Sequence, residues 1–250
     1  MIDILFPAFL LSLVLLGIHS YFGLEIIKRG IIFTDLAVGQ MAALGAAVSL
    51  LLLDGQYIYP ISLSFSLLGA ILIAFASRKA NNLEAFIGLL YAFGLSGVFI
   101  LLSHSPHGAE EFQNLMAADI LFTPTYEIIK VGFIYSILGS LLYFLNKKTT
   151  GFLKEMLFFV IFSITVTSSV KLAGVLVVFA LLIAPALISL NINKGYKVLN
   201  AWIIGTIINL VSIGLSYNFD FPTGYTIVFM HSLMAGLFFL IFEKKAPIEN

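Results

Sequence analysis

The 250-residue chain contains no cysteine, and only 10% of its residues are Asp, Glu, Lys or Arg. The first absence excludes disulfides and thiolate metal sites, leaving oxygen and imidazole nitrogen as donors for any metal ion handled here. The second excludes an ordinary water-soluble domain, in which about a quarter of residues are charged. Also missing are a glycine-rich phosphate loop ending in Lys-Ser or Lys-Thr, the HExxH and GxSxG signatures, and paired aspartates inside apolar runs. These gaps exclude ATP binding by that route. They also count against an intramembrane enzyme, which needs nucleophile, acid or metal ligands converging inside the bilayer. No soluble domain, low-complexity linker or internal repeat is visible, so residues 1–250 read as a single transmembrane domain.

What fills the chain is apolar: 60% hydrophobic residues and a mean hydropathy of +1.08. Nine runs, at 3–23, 31–53, 57–77, 84–104, 127–145, 152–169, 172–190, 199–217 and 224–242, are rich in Leu, Ile, Val, Phe, Ala and Gly. About 20 such residues make a helix that crosses the hydrocarbon core. Lipid offers no partner to an unpaired backbone group, so helices are predicted throughout, and the short alternating segments of a β-barrel are missing. The fold class is therefore all-α and polytopic, with about nine transmembrane helices. The first run lacks a basic leader and a small-residue cleavage site and is expected to be a retained helix.

The charges are sorted by side. With Glu243, Lys244 and Lys245 cytoplasmic, Lys28, Arg29, Arg78, Lys79, Lys147, Lys148, Lys154, Lys194 and Lys197 also fall inside, and only Lys130 and Lys171 fall outside. This is the positive-inside pattern of a multi-pass cell-membrane protein with its C-terminus in the cytoplasm. Asp3, Asp54, Glu110, Glu111, Asp119, Glu127 and Asp220 show the opposite bias, and an anionic outer mouth concentrates cations.

Ionisable groups inside a membrane are costly, so the few present single out candidate sites. Asp35 lies in the small-residue run from Thr34 to Ala47. Its alternatives are a place on a cation pathway or a pairing with Lys28 or Arg29. Gln40, about 140° further round the helix, is not expected to share one tight site with it. His231 sits in the middle of the ninth run, either as a metal contact or bonded across to another helix. The longest connection, about 105–126, carries His107, Glu110 and Glu111. These donors suit transient capture of a divalent cation, and they equally suit a surface helix with acids at its N-terminus. Pro185 is expected to bend the seventh span near its inner end, before a short polar and basic segment. Before the last span, Asp220 or Thr223 is expected to cap the helix.

Five blocks carry a resemblance: the Asp35 helix, Glu84 to Gly88, Leu115 to Leu121, Val170 to Gly174 through Ala184-Pro185-Ala186, and Asp220 to Gly224. In order and spacing they resemble the permease subunits of ABC importers for zinc, manganese and related divalent metals. The resemblance implies a homodimeric permease with no catalytic residues, cofactor or nucleic-acid partner of its own. Cytoplasmic ABC ATPase subunits would power it, and an extracytoplasmic metal-binding protein would feed it. It further implies a coupling helix over Leu187 to Lys197, with Leu187, Ser189, Lys194, Gly195, Tyr196 and Lys197 facing the ATPase. The family's second helix commonly carries His four residues after the Asp, and here that position is Gly39. Asp35 carries over as a ligand and the imidazole does not. An oxygen pathway suits manganese or ferrous iron better than zinc, while His231 is positioned to restore a nitrogen donor. The alternative is an ion- or proton-coupled secondary transporter using Asp35, Glu84 and His231 as a relay.

Overall fold

The computed structural model describes residues 2–79, 82–117, 120 and 123–242, the side chains of residues 2–4 and 146 excepted. The expectations placed on Asp119, Glu243, Lys244, Lys245 and the side chain of Asp3 lie outside those residues. The helices are α1 (Ile2–Arg29), α2 (Thr34–Leu52), α3 (Ile58–Ala76), α4 (Leu83–Leu102) and α5 (Gly108–Met116). They continue as α6 (Thr125–Lys148), α7 (Gly151–Ala173), α8 (Val175–Leu190), α9 (Lys197–Phe219) and α10 (Thr223–Phe242). No strand occurs among the described residues. Every apolar run became a helix. Eight of the ten are long and apolar enough to span a membrane, and α8, at 16 residues, is the shorter ninth.

Three boundaries differ from the sequence expectation, each for a physical reason. Helix α1 runs past residue 23 to Arg29 because its charged end is paired within the fold. Glu25 meets Lys28 at 3.5 Å and Arg29 at 3.8 Å, while Arg29 also pairs with Glu155 of α7 and lies 4.1 Å from the centre of the Phe158 ring. Helix α7 continues to Ala173, and the chain reverses at Gly174 alone, whose φ of +85° favours glycine. At the turn before α10, Asp220 does not cap that helix. Asp220, in left-handed conformation, closes α9, and Thr223 Oγ1 lies 2.8 Å from Ser216 Oγ.

The centre of the bundle is α2, where every residue from Thr34 to Ala47 is buried. A helix buried on all faces must have neighbours on all faces, and α3, α4, α7 and α8 supply them. The approach is close because the contacts are small: Gly45 meets the backbone of Ile61 and Ser62, Gly69 meets Met41, and Gly94 meets the backbone of Gln40. Glycine and alanine surfaces substitute in lipid for the hydrophobic drive that is missing there. On the other side of the molecule α8 packs against α1, α9 and α10. Its Leu182 carbonyl approaches Gly23 so closely that a Cβ would collide with it.

The long connection folds into α5, whose end reaches under the Gly174 reversal. A Cβ on Gly174 would lie 2.7 Å from backbone atoms of Met116 and Ala117. Gly174→Val is therefore expected to lose at least about 2 kcal/mol of stability, from strain plus overlap. Thermal unfolding in detergent checks this; an unchanged midpoint would show that the turn can be rebuilt.

Candidate functional site

Asp35 stands in the first turn of α2 and is 1% exposed. Its Oδ1 has no hydrogen-bond partner among the described residues, and Lys28 and Arg29, its expected cations, are held by Glu25 and Glu155 instead. A buried carboxylate left without partners is costly, which makes Asp35 a candidate site. Gly39, one turn on and on the same face, meets Val175 Cγ1 at 3.1 Å and Val170 Cγ2 at 3.6 Å from its Cβ position. Asp35 thus faces the α7–α8 side, and the place of the family's histidine is filled by valine methyl groups.

Gln40 is 1% exposed and points elsewhere. Its Nε2–H donates to Met116 Sδ at 3.5 Å, and its Oε1 is buried without a partner. The contact ties the middle of α2 to the end of α5 and brings a thioether, which the sequence did not single out, beside the amide.

Glu84 of α4 accepts a hydrogen bond from the Phe33 backbone N–H at 3.1 Å. A carboxylate from another helix therefore sits at the N-terminus of α2, where the unpaired N–H groups and helix dipole favour it. This gives the Glu84 block a structural role. No hydrogen-bonded chain links Asp35, Glu84 and His231 among the described residues.

His231 is fully buried, and its Nε2–H donates to Asn209 Oδ1 of α9 at 2.9 Å. The imidazole is bonded across to a neighbouring helix, with Nδ1 and the Asn209 amide nitrogen left over. Sequence reasoning passed over Asn209, a lone amide in an apolar run, and also His19. The latter is buried with Nδ1–H donating to the Leu15 carbonyl at 2.7 Å and Nε2 unpartnered. Its signal was an imidazole inside the first apolar run, 3–23. Next to it Tyr135 of α6 bonds Ser168 and Ser169 of α7, a buried hydroxyl cluster.

His107 precedes α5, and Glu110 and Glu111 occupy its first turn. No three His, Cys, Asp or Glu side chains converge as a metal cluster among the described residues. The expected coupling helix is not a separate element: Leu187 and Ser189 belong to the last turn of α8, residues 191–196 are loop, and Lys197 begins α9. The loop is fixed from within. Ser189 Oγ–H donates to the Lys197 carbonyl at 2.6 Å, Lys197 Nζ donates to the carbonyls of Leu190 and Ile192, and Gly195 takes a φ of +83°. Tyr196 is left 84% exposed, with Lys194 beside it. Helix α8 runs on through Pro185, whose ring packs against Gly205.

A family model described as the ABC 3 transport family matches residues 1–243. The chain belongs to the ABC 3 transport family. The resemblance to metal-importer permeases carried by its sequence blocks therefore holds, and the protein is a multi-pass membrane permease of ABC type. It is 23% identical to the "High-affinity zinc uptake system membrane protein ZnuB" of Haemophilus influenzae over 91% of this chain and 94% of that one. To a "Probable iron transport system membrane protein" of the same organism it is 24% identical over 62% of each chain. The solved structure of PsaBC from Streptococcus pneumoniae in complex with Fab matches with a TM-score of 0.76, at 17% identity, covering 94% of this chain and 90% of that one.

The Glu84 contact generates a test. Glu84→Ala is expected to lower stability by about 1 kcal/mol, and Glu84→Gln, which keeps an acceptor oxygen, by less. Denaturation in mixed micelles measures the order; equal stability of Glu84→Ala and the wild type would contradict the capping role.

Proposed function

We propose that this ABC 3 permease imports a divalent metal ion and that Asp35 is the carboxylate the ion passes. The observation that carries the reading is the unpartnered, fully enclosed Asp35 oxygen on the central helix. A group kept ionisable inside a bundle, without a cation of its own, suits a cation that visits. A single carboxylate also binds weakly enough to release its cargo, where a closed cage would trap it. Relatives named for zinc and for iron support a divalent metal as cargo. With Gly39 in place of an imidazole, the carboxylate oxygens of Asp35 favour manganese or ferrous iron over zinc. The unpartnered Nδ1 of His231 offers a nitrogen donor within the bundle.

The transporter in this reading is a homodimer with its C-termini in the cytoplasm, drawing energy from separate ATPase subunits. An extracytoplasmic binding protein delivers the metal to the outer face, where His107, Glu110 and Glu111 attract it. The exposed Tyr196 and Lys194, on a loop stiffened by Ser189, Gly195 and Lys197, with Leu187 on the preceding turn, form the ATPase contact. The secondary-transport alternative lacks a connected relay among the described residues.

Uptake of radiolabelled manganese by vesicles containing the assembled transporter tests both halves. Asp35→Asn is expected to lose at least about tenfold in rate, about 1.4 kcal/mol of barrier, while its ATPase subunits remain bound. Tyr196→Ala is expected to lose ATPase subunits on co-purification. Wild-type uptake by Asp35→Asn would remove Asp35 from the pathway, and unchanged co-purification of Tyr196→Ala would move the docking surface elsewhere.

A further inference from the structure

A groove of about 940 Å³ opens between α1 and α6, and neither Asp35 nor the 187–197 segment lines it. Its shape comes from glycine. At Gly132 the two helices touch, a Cβ there lying 3.6 Å from Val14, whereas Gly139, two turns along the same face of α6, and Gly17 on α1 have nothing within 4 Å of their Cβ positions. The helices meet near the N-terminal third of α6 and leave space beyond. Leu10, Leu13, Val14 and Leu142 line its walls, and Trp202 of α9 closes one side, its Nε1–H donating to the Leu13 carbonyl at 3.2 Å.

Chemistry changes at one end. Lys147, in the last turn of α6, lines the groove beside Tyr143. Its Nζ donates to the Tyr143 hydroxyl at 2.7 Å and stands 4.3 Å from the centre of that ring. No carboxylate lies within ion-pair distance of it among the described residues. Tyr143 accepts from the ammonium and keeps its own O–H to donate. Two donors and an uncompensated positive charge thus stand at the membrane interface, at the mouth of an apolar channel. Tryptophan and tyrosine are the residues that suit that depth, and the volume lies within the range of about 300–1,000 Å³ usual for ligand sites.

We infer that this groove is a binding site for an anionic glycerophospholipid, one acyl chain lying along Gly17 and Gly139 and the phosphate held by Lys147 and Tyr143. A second copy of the chain fits less well. Nothing in the groove presents an acidic complement, and an uncompensated lysine buried in a protein interface would be costly. A phospholipid supplies both the apolar filling and the negative charge, and basic pockets between membrane helices take such headgroups. The site is independent of the metal pathway, so its failure and the failure of the transport reading are separate results.

The chain has one tryptophan, and it lines the groove, 39% exposed. Quenching of Trp202 fluorescence by phospholipids brominated on the acyl chain therefore reports occupancy directly. The full-length permease is reconstituted in phosphatidylcholine vesicles containing increasing fractions of brominated phosphatidylglycerol or, in parallel, brominated phosphatidylcholine. The expected result is about a fivefold preference for the anionic lipid, the factor that one basic side chain contributes near the surface. Lys147→Gln is expected to abolish the preference and Lys147→Arg to retain it. Gly139→Leu, which fills open space, is expected to reduce quenching by the anionic lipid to the phosphatidylcholine level although the lysine is still present. Equal quenching by the two lipids in the wild type would overturn the proposal. So would a preference that survives Lys147→Gln, or the absence of quenching by either lipid, which would mean that protein covers the groove.

Discussion

Everything in this fold depends on how closely helices can approach one another where no water drives them together. Lipid tails are as apolar as leucine, so burying a leucine-rich face gains little, and close van der Waals packing supplies the association. Helix α2 is built for that condition. Its run of Gly, Ala and Ser lets α3 and α4 approach at backbone distance at Gly45 and Gly94, while α7 and α8 pack valine side chains against Gly39. A helix thus enclosed is protected from lipid on every side, which allows it to carry Asp35 and Gln40.

The same packing explains why the polar groups of the interior are so sparingly satisfied. The Gly39 face meets Val170 and Val175, Gln40 reaches only a thioether, and the Asp35 oxygen has no partner. By contrast, the charges at the end of α1 are matched, in the Glu25, Arg29 and Glu155 cluster stacked on Phe158. The charges of that cluster are paired and the proposed functional one, Asp35, is not. That division separates what holds the bundle together from what a passing cation meets.

Much of this was legible in the sequence because lipid imposes a one-dimensional rule: a run of about 20 apolar residues must be a helix. All nine runs became helices, and the residues flagged as Asp35, Gln40 and His231 proved to be buried. The losses came where three-dimensional partners decide the outcome. Arg29 extends α1 because Glu155, distant in sequence, receives it; Gly174 alone turns the chain because Met116 and Ala117 fill the space beside it. Asp220 closes α9 and does not open α10, since a left-handed residue serves either turn and only the Ser216 contacts choose. The 187–197 segment reads as polar and basic, yet its internal bonds from Ser189 and Lys197 hold it as a loop. Asn209 and His19 were missed since one polar residue barely disturbs an apolar run.

The claim on which the functional account rests is that a visiting divalent cation meets the Asp35 carboxylate. Infrared difference spectroscopy of the full-length protein in lipid, with and without manganese, observes that group directly. The account predicts a shift in carboxylate stretching bands that vanishes in Asp35→Asn and persists in Glu84→Gln. Identical difference spectra for the wild type and Asp35→Asn would contradict it.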